Sequence, residues 1–284
     1  QGKRKEADAK NRDLPFDPAS IDCAVLSHGH LDHCGGWPYL VKNGFKGLIL
    51  ATPPTKEIAA IVMADCAHIQ ESDFAFLKKR ASKKGLPPPE VPPLYGAADV
   101  PPVLALMREF PYDRRTEILP GIYCTLIEAG HILGSAQLVI EAGSLRFGFS
   151  GDLGRFNMPI LRDPALPGDL DYFVCESTYG NRLHDELATA EGELASICTD
   201  TFQKGGKVVI PAFAIGRTQE LVWMLHRLED QGRLPGSLDI YVDSPMGVNV
   251  TEVFKRHPEC YDEETRRVFT DHHENPFVFS QLKY

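Results

Sequence analysis

One short loop constrains the fold more than any other stretch of the chain. The segment LSHGHLDHCGG, residues 26–36, follows the apolar run IDCAVLS and places His28, His30, Asp32 and His33 close together. Packing gives no reason to gather four such side chains, whereas imidazole and carboxylate groups bind zinc and related divalent ions. The loop therefore predicts a metal site at a strand end. His28 and His30 could hold one ion while Asp32 and His33 turn toward a second.

Further ligands should come from other strand ends, because one loop cannot complete two coordination spheres. His131 follows the apolar run IYCTLIEAG, and Asp152 follows LRFGFSG. Each comes directly after a glycine, which lets the backbone turn sharply and approach the site. A lone histidine after a strand is usually a polar turn residue, so these two become candidates because the first cluster exists. Asp152 has two oxygens and could bridge two ions.

The rest of the pattern predicts a mixed α/β chain with a boundary near residues 180–185. Apolar runs predict strands within 21–27, 47–52, 122–130, 136–151 and 170–177, and Ile58, Val62 and Cys66 follow a helical spacing. The proline-rich segment 83–102 is interpreted as a surface connector, in preference to a substrate-contacting lid. Beyond the boundary, helices are predicted over 186–203, 216–231 and 248–257, with strands over 207–214 and 238–245. Such alternation favours a parallel sheet.

Composition excludes some classes of function. The net charge of −9 argues against a simple basic nucleic-acid-binding module, although an enzyme that holds phosphates through metal ions and a few arginines remains possible. The seven cysteines are scattered, which is typical of reduced thiols in a cytoplasmic protein. No apolar run is long enough for a membrane span, and the charged N-terminal segment is unlike a signal peptide.

Several motifs, in order, resemble those of a known family. SHGHLDHCGG, AGHILGSA and FSGDLGR are similar to signature motifs of the metallo-β-lactamase fold. CESTYGNR, IPAFAIGRTQEL and VDSPM are similar to those of the β-CASP nucleases, especially the bacterial relatives of the pre-mRNA cleavage nuclease. The resemblance implies an αββα sandwich, incomplete at its N-terminal strands, over residues 1–182. It implies the start of an α/β β-CASP domain over 183–284.

The resemblance also implies roles for the candidate residues. His28, His30 and His131 would hold one zinc ion, Asp32 and His33 the other, and Asp152 would bridge them. The implied reaction is hydrolysis of RNA phosphodiester bonds by a hydroxide that the two ions activate. Asp32 and Glu176 would be the catalytic carboxylates, and Glu176 would pair with a histidine that helps to protonate the leaving group. The alternative interpretation of Glu176 is an acidic residue at a strand end without a catalytic role.

Two later motifs are candidate substrate contacts. Arg217 lies at the predicted start of a helix, where free N–H groups attract anions, and Ser244 follows the next strand in a similar position. Helix capping by Thr218 or Ser244 is an equally good interpretation.

The sequence also departs from the family pattern. An early Asp motif and two later histidines are missing, and His272 and His273 do not match, so the second zinc site is short of a ligand. We expect a fragment of a longer enzyme, whose exposed sheet edges would favour association, such as a homodimer. Two alternatives remain: a hydrolase of small esters or thioesters, and a non-catalytic scaffold.

Overall fold

The computed structural model describes residues 7–183, 187–271 and 275–284. It divides into two compact units, of which the first runs to Leu126 and includes Glu141–Gly143. The second comprises Ile127–Ile140 and Ser144–Tyr284. His272 and His273, and part of the predicted boundary at 180–185, lie outside the described residues. No helix among the described residues is long and apolar enough to cross a bilayer.

A parallel three-stranded sheet, in the order β1-β2-β3, organises the first unit. The strands are β1 (Cys23–Val25), β2 (Leu48–Ala51) and β3 (Met107–Glu109), with Ala24 opposite Ile49 and Ile49 opposite Met107. Helices connect them because parallel strands need a crossover. These helices are α2 (Leu31–Cys34), α3 (Trp37–Lys42), α4 (Pro53–Lys83) and α5 (Val100–Leu106), and α1 (Ala7–Arg12) precedes β1.

Helix α4 confirms the predicted helical spacing. The Thr52 hydroxyl caps it by accepting a hydrogen bond from the Thr55 N–H at 3.3 Å, and prolines occupy its first positions, where they are tolerated. Ile58, Val62 and Ala67 are buried on one face. No residue beyond Ala67 in this helix is buried.

A five-stranded sheet runs in the order β4-β5-β6-β7-β8. The strands are β4 (Thr116–Leu119), β5 (Ile122–Glu128), β6 (Ala136–Ala142), β7 (Leu145–Phe149) and β8 (Tyr172–Val174). β4 is antiparallel to β5, and β7 is parallel to β8 with Phe147 opposite Tyr172. Gly143, with φ of +61°, lies in the turn between β6 and β7.

Helices dominate the chain after residue 187. They are α6 (Leu187–Gln203), α7 (Arg217–Asp230), α8 (Pro245–Arg256) and α9 (Glu263–Asp271), and β9 (Ile240–Tyr241) pairs in parallel with β10 (Leu282–Lys283). Ala195, Cys198, Leu225, Leu228 and Leu234 form a buried cluster. The helices predicted from the sequence are therefore confirmed in this region.

Two sequence predictions were wrong. Residues 207–214 were expected to form a buried strand, yet they form no regular structure, and Val209 and Phe213 are 86% and 84% exposed. The reason is that no described strand pairs with this segment, so its apolar pattern has no sheet to enter. Segment 83–102 is not wholly a surface connector, because α5 begins at Val100 and Tyr95 is buried.

Candidate metal centre

The first histidine loop is held tightly at the end of β1. The Leu26 N–H continues the strand pairing by donating to the Leu50 carbonyl at 2.8 Å. Gly29 then passes against α4 so closely that a Cβ there would lie 2.6 Å from Cγ2 of Ile58. His28 is fully buried, and its Nδ1 lies 3.2 Å from the Ser27 hydroxyl. The loop therefore fixes His28 by packing as well as by hydrogen bonding.

The loops that carry His131 and Asp152 turn through glycines, as the sequence predicted. Gly130 and Gly151 have φ of +65° and +57°, in the left-handed region that favours glycine. His131 Nε2 lies 3.6 Å from Asp152 Oδ2.

Backbone contacts lock these two loops together. The Gly154 N–H donates to the Ala129 carbonyl at 2.8 Å, and a Cβ on Gly154 would lie 1.7 Å from the Gly130 carbonyl oxygen. The Ser135 hydroxyl accepts hydrogen bonds from the His131 and Ile132 N–H groups at 3.0 and 3.2 Å. The imidazole and the carboxylate are thus positioned before any ion binds.

Each of the two units carries two of the residues predicted as ligands. In the first unit the rings of His28 and His30 lie 5.0 Å apart, and in the second His131 and Asp152 form the pair described above. Among the described residues, His28, His30, His131 and Asp152 make up a group that could hold a metal ion. Three imidazoles and one carboxylate form a donor set that suits zinc and related divalent ions.

Asp32 and His33 lie on α2, outside that group of four. Their side chains approach each other, with His33 Nε2 3.6 Å from Asp32 Oδ2, and the His33 ring lies 4.0 Å from that of His28. Their role as ligands of a second ion stays a prediction.

Glu176 supports the loop that carries Asp152. Its Oε1 accepts a hydrogen bond from the Leu153 N–H at 2.9 Å, and its Oε2 accepts one from the Thr178 N–H at 3.1 Å. Burial by itself would raise the pKa of Glu176, but these hydrogen bonds outweigh burial and the pKa is lowered. The side chain is consequently an ionised carboxylate beside the candidate ligands.

Sequence reasoning missed Glu128, which lies at the end of β5. Its carboxylate is buried, accepts a hydrogen bond from the Gly130 N–H at 2.9 Å, and pairs with Arg162 at 3.0 Å. Burial raises its pKa to about 7, although the Gly130 N–H and Arg162 oppose the shift. Its place in the apolar run IYCTLIEAG, where a charged residue is unexpected, was the available signal.

The two candidate substrate contacts have well-defined local partners. Arg217 opens α7 and pairs with Glu220 at 3.0 Å, with its own side chain 59% exposed. The Ser244 hydroxyl accepts a hydrogen bond from the Gly247 N–H at 3.0 Å and so caps α8. Thr218 instead donates to the Phe213 carbonyl at 2.8 Å. Capping is therefore established for Ser244, while contact of either residue with a substrate stays a prediction.

Comparisons with known proteins agree with the motifs. Residues 3–194 match the family model of the Metallo-beta-lactamase superfamily, and residues 218–284 match that of the Beta-Casp domain. Ribonuclease TTHA0252 of Thermus thermophilus is 32% identical over 96% of this chain and 58% of its own length. These matches confirm the resemblance stated from the sequence. The domain boundary at residues 182 and 183 is tested by none of them and stays a prediction.

Two further relatives come from a yeast and an archaeon. Endoribonuclease YSH1 of Yarrowia lipolytica is 31% identical over 94% of this chain and 31% of its own length. Transcription termination factor FttA of Methanocaldococcus jannaschii is 32% identical over 94% of this chain and 40% of its own length. The chain therefore spans about a third to three fifths of the curated relatives that it matches.

Proposed function

Because this chain belongs to the metallo-beta-lactamase superfamily and carries the start of a Beta-Casp domain, we propose that it is the catalytic part of a zinc-dependent ribonuclease. The single observation that carries the proposal is the candidate metal-ligand set of His28, His30, His131 and Asp152. Relatives named ribonuclease and endoribonuclease support RNA as the substrate. We also propose that the chain is a hydrolase, because it combines the mixed α/β fold with the motifs of this superfamily.

The six candidate ligands would divide between two zinc ions. His28, His30 and His131 would hold the first, Asp32 and His33 would contribute to the second, and Asp152 would bridge them. Bound ions of this kind lower the pKa of a water molecule and stabilise negative charge on phosphoryl oxygens. The contribution of the chain is to present the ligands rigidly, through the glycine turns and the Ser135 hydrogen bonds.

Glu176 would act beside the reacting phosphate as an ionised carboxylate. Its lowered pKa makes it unsuitable as a proton donor but suitable for holding and orienting a protonated partner. Its hydrogen bond to the Leu153 N–H also keeps the neighbouring Asp152 in place. Arg217 and Ser244 would contact phosphates or riboses of single-stranded RNA, since Arg217 is exposed at the start of α7.

The domain boundary, the oligomeric state and the cellular location are part of the same proposal. We place the boundary between the catalytic and β-CASP domains at residues 182 and 183, and we propose a homodimer. The exposed β8 strand at the edge of its sheet supports self-association, because unpaired edges promote pairing. A cytoplasmic location is supported by the seven free cysteines.

The test compares two aspartate variants of the full-length protein. Asp152→Ala should lower cleavage of single-stranded RNA by about a thousandfold or more, because several kcal/mol of metal-derived stabilisation are lost. It should also lower the zinc content measured by mass spectrometry. Asp200→Ala, an exposed aspartate of α6, is the matched control and should change neither quantity.

Two results would contradict the proposal. Undiminished RNA cleavage by Asp152→Ala would show that the group of four is not the catalytic centre. Turnover of a thioester with RNA left intact would indicate a small-substrate hydrolase instead.

A further inference from the structure

The C-terminal half of α4 has no buried residue after Ala67. Two hydrogen bonds tie its start to the rest of the unit, since Gln70 and Glu71 accept from the Leu94 and Ala97 N–H groups, both at 3.1 Å. From residue 71 to residue 83 the side chains are exposed or only partly buried. A long amphipathic helix usually ends where its apolar face ends, whereas α4 continues past its last buried residue to Lys83.

The extension carries a concentrated positive charge, which we call the basic tip. It consists of Lys78, Lys79, Arg80, Lys83 and Lys84, all of which are exposed. No Asp or Glu occurs between positions 74 and 89, although the whole chain has a net charge of −9. The basic tip is therefore a positively charged patch on a chain whose net charge is negative.

The basic tip costs the helix some of its stability. Lys79 and Lys83, and likewise Arg80 and Lys84, are four residues apart, a spacing at which like charges are destabilising by about 0.2–0.5 kcal/mol per pair. Cations in a last turn do favour the helix dipole, but that effect extends over one turn and leaves Lys78 and Lys79 unexplained.

The helix end does not require the cations. Gly85, with φ of +61°, lets the Leu86 N–H donate to the Ala81 carbonyl at 3.0 Å and the Gly85 N–H donate to the Ser82 carbonyl at 3.2 Å. These two bonds satisfy the Ala81 and Ser82 carbonyls near the end of α4 through the backbone alone. The charge of the tip is thus better explained by a partner than by folding.

Apolar side chains lie among the cations. Phe76, Leu77 and Leu86 are 63%, 46% and 58% exposed. Leu77 and Leu86, with Arg80 and Lys84, line a shallow hollow of about 360 Å³. Cations that follow a phosphate backbone, together with exposed aromatic and apolar faces for bases, are the combination that binds single-stranded nucleic acid.

Helix α4 also sets the distance from the tip to the metal loop. Its first turns pack against that loop, where Ile58 meets Gly29. Lys79 follows Ile58 by 21 positions, so a rise of 1.5 Å per residue places it about 32 Å further along the helix axis. At about 3.4 Å per phosphate of a stacked strand, that distance corresponds to roughly nine or ten nucleotides.

We propose that the basic tip of α4 binds the phosphate backbone of single-stranded RNA about ten nucleotides away from the metal centre. The proposal rests on the nuclease function proposed above. α4 acts as a rigid spacer, so RNA long enough to reach both places gains affinity from the tip. A very short RNA engages the metal centre alone.

The experiment compares two triple variants of the full-length protein. The test variant carries Lys78→Gln, Lys79→Gln and Lys83→Gln. The matched control carries Lys46→Gln, Lys204→Gln and Lys207→Gln, which removes the same charge from exposed lysines outside α4. Binding of a 24-nucleotide oligouridylate is measured over a range of salt concentrations, with Asp152→Ala added to every protein to prevent cleavage. Cleavage of the 24-nucleotide RNA and of a four-nucleotide oligouridylate is measured without Asp152→Ala. Binding to polyglutamate is measured in parallel.

We expect the test variant to bind the 24-nucleotide RNA about tenfold more weakly. Its plot of log affinity against log salt should be shallower by about 2, since each lost phosphate contact removes roughly 0.7. Its kcat/KM on the four-nucleotide RNA should match that of the wild type. The control should match the wild type in both measurements. The melting temperature of the test variant should be equal or higher, because a like-charge pair is removed.

Three outcomes would overturn the assignment of the tip. The first is an unchanged salt slope, and the second is an equal loss of RNA affinity in the control variant. The third is unchanged RNA binding together with lost binding to polyglutamate, and this result would indicate an acidic protein partner. The nuclease proposal fails separately. A wild-type protein that cleaves neither RNA would refute it, while the binding measurement still decides whether the tip contacts RNA.

Discussion

The loops that follow β5 and β7 differ from segment 207–214 in the contacts that fix their backbone. At each of the three places the sequence has an apolar run that ends in small or polar residues, and each run was predicted to form a strand. The loops after β5 and β7 are fixed by backbone hydrogen bonds and by glycines in close contact, whereas Val208–Ile210 are exposed and unpaired. An apolar run becomes a strand only where a neighbouring strand supplies hydrogen-bond partners, because a lone strand buries too little and leaves its backbone polar groups unpaired.

The largest expected effect comes from breaking the contact between the two metal loops. Gly154→Ala would place a Cβ 1.7 Å from the Gly130 carbonyl oxygen, so the loops must separate. We expect a loss of about 4 kcal/mol in the free energy of unfolding, as for other severe backbone clashes. Zinc binding should fall as well. Urea denaturation and metal analysis measure the two effects.

Gly192→Ala is the matched control, because a Cβ at this glycine of α6 meets nothing within 4 Å. It should stabilise the protein by up to about 1 kcal/mol, since alanine is the better helix former. An equally harmless Gly154→Ala would show that the two loops are not locked together.

Glu128, at the end of β5, makes the stability of the protein sensitive to pH. Its pKa is about 7 in the folded protein, so between its unfolded pKa and pH 7 the folded state holds a proton that the unfolded state has released. The stability that this proton provides is complete below the unfolded pKa and is lost as the pH rises through about 7. Between pH 5 and 8, the free energy of unfolding of the wild type should fall by about 2.5 kcal/mol more than that of Glu128→Gln does.

The measurement is urea unfolding of metal-free protein at several pH values. Asp239→Asn, at an exposed aspartate just before β9, is the control. The Lys283 hydrogen bond lowers the pKa of Asp239, so this group is ionised throughout the range and its removal should leave the slope unchanged. A wild-type slope identical to that of Glu128→Gln would refute the buried position of the carboxylate.

Ser244 tests the helix cap of α8. Ser244→Ala removes the acceptor for the Gly247 N–H and should cost about 1 kcal/mol, the usual value of a helix cap. Thermal unfolding gives the loss, and Ser244→Asp should restore most of it. The zinc content should not change. No loss of stability would mean that α8 does not depend on this cap.

The smallest effect is expected in the exposed segment. Val209→Thr should change the free energy of unfolding by less than about 0.5 kcal/mol, because Val209 is 86% exposed. Val250→Thr is the matched control in α8, where the valine is fully buried, and should cost about 1–3 kcal/mol. Equal losses of stability would indicate that Val209 is buried in a strand. The contrast between the exposed segment 207–214 and the packed parts of the chain would then disappear.

The sequence by itself determined the features that depend on nearby residues. The helical spacing in α4 and α7, the glycine turns before His131 and Asp152, and the family motifs could all be recognised along the chain. These features follow from local geometry, because side-chain periodicity and backbone dihedral angles are set within a few residues.

The tertiary structure alone decided the features that depend on distant partners. It buried the Glu128 carboxylate beside the partly exposed Arg162 guanidinium, and among the described residues it left 207–214 without a strand partner. It also placed His131 Nε2 3.6 Å from Asp152 Oδ2, although the two residues follow different strands. Burial and side-chain pairing depend on which segments meet in space, and neither the spacing nor the chemistry of a motif specifies that meeting.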